Sequence, residues 1–309
     1  MSTNKQAKLA CRAQAAAAAI LVVQFFALHS NSASAQMAGA QVNMAQPSPA
    51  RQVAATAASV AATPASAASA ACTAPAALLH FDRPLVHTMR RLANGQPLTI
   101  VAIGSSSTAG AGASSPDATY PSRLAVELRG RFPGRDITVL NRGVNGEETT
   151  NMMARFAPDV LAAHPQLVLW QIGTNSVLRD HPLSPHAAQL HDGIEQLKAA
   201  GADVVLIDPQ FAPVVLAKSE TQGMVDQIAI AAKDENVALF HRFAVMRDWH
   251  DVQHLSFEIF VSPDQLHMND WSYACLAKLL GSAIVEAATR PIAAAAVHPD
   301  TMSLKPAVH

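Results

Sequence analysis

The 309-residue chain is short of several things, and each shortage closes off a class of protein. It has no surplus of charge: 22 Lys+Arg stand against 23 Asp+Glu, for a formal net charge of −1. Phosphate neutralisation needs a basic surplus, so a nucleic-acid binder working by bulk charge is excluded. Three cysteines are too few for a disulfide-built scaffold. Aromatic residues are scarce at 5%, and much of the 50% apolar content is alanine. That apolar share is still ordinary for a globular protein, so wholesale disorder is excluded. No acidic residue precedes Asp82. No apolar run reaches the roughly 20 residues that a membrane-spanning helix needs.

The chain begins with a basic stretch. Residues 1–14 carry Lys5, Lys8 and Arg12, residues 15–28 read AAAAAILVVQFFAL, and Ala33-Ser34-Ala35 follows. A basic start, a short apolar run and an A-x-A site predict a secretory signal peptide over 1–35. Cleavage after Ala35 removes Cys11 and three positive charges, and leaves no stable membrane span. Residues 36–77 are mostly Ala, Ser, Thr, Pro and Gln with one base, Arg51, and read as a flexible linker. Residues 291–309 read as a flexible tail. The folded domain is expected over 78–290, a fair size for one domain. Cys72 and Cys275 are the cysteines left after export, and an oxidising compartment, periplasmic or extracellular, favours their pairing.

Within 78–290, short apolar runs alternate with amphipathic segments. Strands are predicted at 98–103 (LTIVAI), 137–140 (ITVL), 167–172 (LVLWQI), 203–207 (DVVLI) and 237–240 (VALF). Helices are predicted at 121–132, 151–163, 184–200, 221–234 and 270–288. This alternation predicts an α/β protein with a mainly parallel five-stranded sheet, covered by helices on both faces. Ligands bind beyond the carboxyl ends of such strands, which directs attention to the residues just after them.

Those residues carry the parts for acyl transfer. After the first strand comes Gly104-Ser105-Ser106-Ser107-Thr108-Ala109-Gly110, and after the second Asn141-Arg142-Gly143-Val144-Asn145-Gly146. After the third comes Gly173-Thr174-Asn175-Ser176, and before the last helix Asp264-Gln265-Leu266-His267. A serine can supply a nucleophile, a histidine a general base, and an aspartate the group that orients the imidazole. A glycine N–H and an asparagine amide can hold an oxyanion.

In these four blocks the chain resembles the SGNH, or GDSL-type, hydrolases. The family's G-D-S-x-T-x-G is met at Gly104, Ser106, Thr108 and Gly110, with Ser105 where Asp is usual. Its N-x-G-x-x-G is met at Asn141, Gly143 and Gly146. Its G-x-N-D is met at Gly173 and Asn175 with Ser176 in place of Asp, and its D-x-x-H at Asp264 and His267. The resemblance implies a three-layer α/β/α, flavodoxin-like sandwich. It implies Ser106 as nucleophile, flanked by Ser105 and Ser107, with Asp264 and His267 completing a triad. It implies an oxyanion hole from Ser106, Gly146 and Asn175. The two departures fall on supporting residues and mark a divergent branch.

Other fingerprints fail. The Gly104 loop has no Lys, so it is not a Walker A loop. Gly104-x-Ser106 is followed by Thr108, so the α/β-hydrolase elbow is absent. His250 and His254 are one helical turn apart, but H-E-x-x-H is not formed and no third ligand is evident, so no metal and no cofactor are expected. Residues 243–261, with Met246, Trp249, His250 and Phe257, admit two readings: a substrate-selecting loop or a helix packed on the sheet. The sequence as a whole points to an exported serine esterase for short acyl esters on small molecules or envelope glycans. The same triad serves a glycan O-acyltransferase, and the two lost aspartates would suit a glycan-binding pseudoenzyme. Nothing in the sequence fixes an oligomeric state.

Overall fold

The computed structural model describes residues 70–291. The predicted signal peptide, most of the linker and the tail past Pro291 lie outside the described residues. A 3-10 turn at Ala76–Leu79 leads into α1 (Val86–Ala93), followed by β1 (Leu98–Gly104), α2 (Ser106–Ala109) and α3 (Tyr120–Arg131). Next come β2 (Ile137–Gly143), α4 (Thr149–Ala154), α5 (Phe156–Asp159), β3 (Leu167–Gln171), α6 (Thr174–Leu178) and α7 (His186–Ala199). The second half contains β4 (Asp203–Ile207), α8 (Pro213–Leu216), α9 (Thr221–Asp234) and β5 (Ala238–Phe240). It ends with α10 (Arg242–Asp251), α11 (Phe257–Phe260) and α12 (Asp270–Thr289).

The five strands form one parallel sheet in the order β2-β1-β3-β4-β5. Successive strand residues face opposite ways, so a sheet covered on both faces needs apolar residues at every position. Ile100, Ala102, Leu167, Leu169, Val205 and Ile207 enter one core with α1, α3, α10 and α12. Val101, Ile103, Val168, Trp170, Val204 and Leu206 enter the other with α4, α5, α7 and α9. Each fully buried aliphatic side chain contributes about 1.5–3 kcal/mol. The α/β/α layering and the parallel five-stranded sheet are as expected from the sequence.

Three local readings change. The helix predicted at 151–163 is broken into α4, α5 and a 3-10 turn at Leu161–Ala163. Pro158 inside it lacks the N–H that a continuous helix would use. The second strand runs on to Gly143, so Asn141 and Gly143 lie in the strand rather than in a turn. The 243–261 segment is mainly helix, with Met246 and Trp249 in the core rather than facing a ligand.

Residues 70–77, read from the sequence as linker, lie against the domain. Ala70, Cys72 and Ala74 pack on its core, and Cys72 is disulfide-bonded to Cys275 of α12. The indole N–H of Trp249 and the amide of Gln253 both donate to the Thr73 carbonyl, at 2.9 and 3.1 Å. The disulfide expected from the sequence is thus present across 203 positions, and it ties the end of the 36–77 segment to the domain.

Candidate active site

The strand register sets the geometry. Gly104 of β1 pairs with Gly143 of β2, and Gln171 of β3 pairs with Ile207 of β4. The segments leaving β1, β2 and β3 therefore emerge side by side at the carboxyl edge of the sheet. Gly143 must be a glycine here: a Cβ would fall 2.0 Å from the Ala109 nitrogen. The turn carrying Ser106 passes directly against it.

Ser106 is the first residue of α2. Its amide is one of the N–H groups that a helix start leaves without an intrahelical acceptor. Its Oγ lies 2.8 Å from His267 Nε2. His267 Nδ1 lies 2.6 Å from Asp264 Oδ2. The other Asp264 oxygen accepts the Leu266 and His267 backbone N–H groups, at 3.0 and 2.9 Å. Partial burial pushes the Asp264 carboxyl up, but the His267 ring and these two amides outweigh it and hold the group below its ordinary range.

The sequence folds this way locally because residues 261–268 close a tight hairpin. Val261 bridges Met268, Ser262 N–H donates to the His267 carbonyl at 2.7 Å, and Gln265 takes a positive φ of 58°. The Val214 N–H, at the start of α8, donates to the Gln265 carbonyl at 3.2 Å. The D-x-x-H spacing thus brings acid and base onto one loop, with the other ring nitrogen turned to Ser106 Oγ.

Gly146 sits at φ 78°, in the left-handed region that favours glycine. Asn175 lies in the first turn of α6, and its Nδ2 donates to the Glu147 carbonyl at 2.7 Å. One amide hydrogen of Asn175 is thereby committed to the loop of Gly146, and the second is left over. Ser176, where the resemblance leads one to expect Asp, donates its hydroxyl to Glu148 at 2.8 Å. Glu148 also receives Arg179 and His181, at 2.8 and 2.9 Å. Arg179 in turn donates to the Gly146 carbonyl at 2.7 Å. Arg155 pairs with Glu147 at 2.6 Å and with Asp159, and donates to the Arg142 carbonyl. The segment 144–148 is held from both sides.

All five site positions predicted from the sequence thus fall at one edge of the sheet. Ser106, His267 and Asp264 are in continuous hydrogen-bond contact, and Asn175 is tied to the Gly146 loop. The flanking Ser105 and Ser107 are buried. His250 and His254 do not share a helix: α10 ends at Asp251 and His254 has a φ of 56°. His250 stacks on Phe257 with ring centroids 4.3 Å apart. No group of three or more His, Cys, Asp or Glu suited to a metal occurs among the described residues.

Two buried glutamines escaped the sequence reading. Gln171 accepts from the Ser105 N–H at 2.9 Å and the Ser105 hydroxyl at 3.0 Å. Gln210 accepts from the Thr174 hydroxyl at 3.0 Å and reaches the Leu266 carbonyl at 3.4 Å. It links the Asn175 turn to the His267 hairpin. Gln171 had a signal: it is the one polar side chain in LVLWQI. Gln210, in a loop, had none.

Comparison with known proteins gives a consistent setting. An arylesterase of Vibrio mimicus is 37% identical over 81 residues, covering 26% of this chain and 40% of that protein. An acetylxylan esterase of Geobacillus stearothermophilus is 30% identical over 87 residues, covering 28% and 39%. The chain therefore matches about two fifths of the length of each curated relative. Among solved structures, a two-domain esterase active on acetylated mannans superposes with a TM-score of 0.59 at 19% identity. That alignment spans 69% of this chain and 56% of the other. An acetylxylan esterase structure from Geobacillus stearothermophilus gives 0.52 at 20% identity, over 60% and 94%. At these identities the two structures speak for the fold. The profile of the family described as non-GDSL lipase-like matches residues 71–290, all of the described fold but its first and last residue. Its name suits a first block reading Gly104-Ser105-Ser106-Ser107, and the chain belongs to the non-GDSL lipase-like family.

Proposed function

We propose that the chain is an exported serine esterase that removes acetyl and other short acyl groups from glycan esters. The observation that carries this reading is the relay Asp264–His267–Ser106, with links of 2.6 and 2.8 Å. In this reading His267 Nε2 takes the Ser106 hydroxyl proton as Oγ attacks the ester carbonyl. The Asp264 carboxylate stabilises the imidazolium that forms. The N–H groups of Ser106 and Gly146 and the spare amide hydrogen of Asn175 receive the oxyanion. His267 then protonates the leaving alcohol, and a water activated by the same histidine releases the acyl group from Ser106.

Several observations support the finer points. The Cys72–Cys275 disulfide suits an oxidising compartment, in keeping with the predicted signal peptide. One named relative is an acetylxylan esterase and one structural neighbour is active on acetylated mannans, which supports an acetyl group on a glycan. No helix among the described residues is long and apolar enough to cross a membrane.

The test is a panel of p-nitrophenyl esters of increasing acyl length, together with acetylated xylan and mannan, on wild type and Ser106→Ala. Wild type is expected to hydrolyse acetate best and to release acetate from at least one glycan. Ser106→Ala is expected to lose at least about 10⁴-fold in kcat, the scale of losing a triad nucleophile. Equal turnover by both proteins would refute the nucleophile. Labelling of wild type by a fluorophosphonate without hydrolysis of any ester would transfer the reading to acyl transfer.

A further inference from the structure

Gln171 is the last residue of β3 and is only 1% exposed. Its Oε1 accepts from three donors: the Ser105 N–H at 2.9 Å, the Ser105 hydroxyl at 3.0 Å and the Thr108 hydroxyl at 3.4 Å. The backbone N–H can only donate, so the amide must present its oxygen to this side. Ser105 and Thr108 bracket Ser106 in the turn that opens α2. One oxygen therefore holds that turn before and after the proposed nucleophile. The fit is close: a Cβ on Gly104 would fall 2.8 Å from the same oxygen.

The other end of this amide tells more. Gln171 Nε2 is buried and has no acceptor among the described residues. A half-satisfied buried amide costs folding free energy, and this one is kept where its oxygen serves the buried Ser105 N–H and hydroxyl. The departure at Ser105 completes the picture. A carboxylate at this position has no proton to give and would oppose Gln171 Oε1, whereas the serine hydroxyl supplies one.

We propose that Gln171 is the positioning residue of Ser106, fixing through its side-chain oxygen the turn that aims Ser106 Oγ at His267, with Ser105 as its matched donor. The proposal rests on Ser106 being the nucleophile.

The experiment compares wild type with Gln171→Met, Ser105→Ala, the double variant and Ser105→Asp, using p-nitrophenyl acetate and a fluorophosphonate probe. Small misplacements of a reacting group cost up to about 10²-fold, so Gln171→Met is expected to lose about 10–100-fold in kcat. KM should change by less than about threefold, because acyl binding is left alone. The fluorophosphonate labelling rate should fall in parallel. Ser105→Ala is expected to lose less, about 3–10-fold, and to add less than about twofold on top of Gln171→Met, because both remove one contact. Multiplying losses would overturn the matched pair. An unchanged kcat in folded Gln171→Met would overturn the proposal, as would a loss confined to KM. Should Gln171→Met fail to fold, Ser105→Asp decides: it is expected to be at least about tenfold worse than Ser105→Ala, and parity would refute the pairing. Crystal structures separate this proposal from the reading it rests on. In wild type the Ser106 Oγ–His267 Nε2 distance of 2.8 Å should persist, and in Gln171→Met, or Ser105→Asp in its place, it should open beyond about 3.5 Å. An unmoved turn sinks the positioning role whether or not Ser106 is the nucleophile.

Discussion

Ser106 and the segment 144–148 leave neighbouring strands, yet their supports share little chemistry. Around Ser106 and His267 the bracing groups other than Asp264 are buried and neutral: Gln171, Gln210, Thr108, Thr174 and backbone amides. Around 144–148 they are charged and partly exposed: Arg155 with Glu147 and Asp159, and Glu148 with Arg179 and His181. Neutral bonds in a dry interior are indifferent to salt and pH. Charged pairs near water are screened by salt and are individually weak. The two sides of the site should therefore respond differently to the same perturbation.

Among these supports, the largest effect is expected from removing the group that joins the two sides. Asn175→Ala deletes the proposed oxyanion donor and the tie to Glu147, and should lower kcat by about 10²–10³. Steady-state kinetics on p-nitrophenyl acetate would check it, and a loss under twofold would remove Asn175 from the site. Next comes Arg155→Lys. Lysine cannot reproduce the planar fork that reaches Glu147, Asp159 and the Arg142 carbonyl at once. About 1–3 kcal/mol of stability should be lost in urea unfolding.

Glu148→Gln should cost less, about 3–10-fold in kcat, because it weakens the grip on Ser176 and Arg179 without removing a proposed oxyanion donor. High salt should slow wild type but scarcely affect this variant. An equal salt response would mean that the charged brace contributes nothing.

The smallest effect concerns two carboxyls of opposite sign. For Glu148, burial pushes the carboxyl up, but the His181 and Ser176 hydrogen bonds and Arg179 pull it below its ordinary range. Its contribution is present above the unfolded value, about 4.3, and is lost as pH falls through the lower folded value. Asp208 lies at the head of the loop carrying Gln210, and burial pushes it up to about 7, with the Phe243 N–H and Arg242 offsetting this only in part. Its contribution is full below the unfolded value, about 3.9, and is lost as pH rises towards 7. The melting temperature of wild type relative to Asp208→Asn should fall between pH 5 and pH 8, with most of the fall at the lower end. A difference that stays flat across that window would show Asp208 to be ionised throughout.

The sequence disclosed one side of this contrast better than the other. Ser106, Gly146, Asn175, Asp264 and His267 were legible because each follows a strand or precedes a helix in a fixed spacing. The sheet was legible because a doubly covered strand must be apolar at every position. The bracing groups were not. Arg155, Arg179 and Glu148 look like any surface charge until the fold sets them against carbonyls and one another. Gln210 serves a hairpin 56 residues further on, and no local pattern encodes such a distance. The strap at 70–77 was legible only at its anchor: the Cys72–Cys275 pairing is expected from the two cysteines, while the alanine-rich composition around it matches the linker before it.

That strap has a mechanical consequence. Any pull on the chain ahead of residue 70 meets the domain first at the Trp271 indole, 3.4 Å from the Ala70 carbonyl, and then at Cys72. From there the load passes through a covalent bond to Cys275, in the second turn of the longest helix. Tension is thus taken up by α12 and diverted from the 3-10 turn and α1, which would otherwise peel away first. The helix bearing that load starts two residues after the hairpin that carries Asp264 and His267. A reducing environment would return the load to the strap, and single-molecule pulling with and without reductant would register the difference as a drop in the force of the first unfolding step.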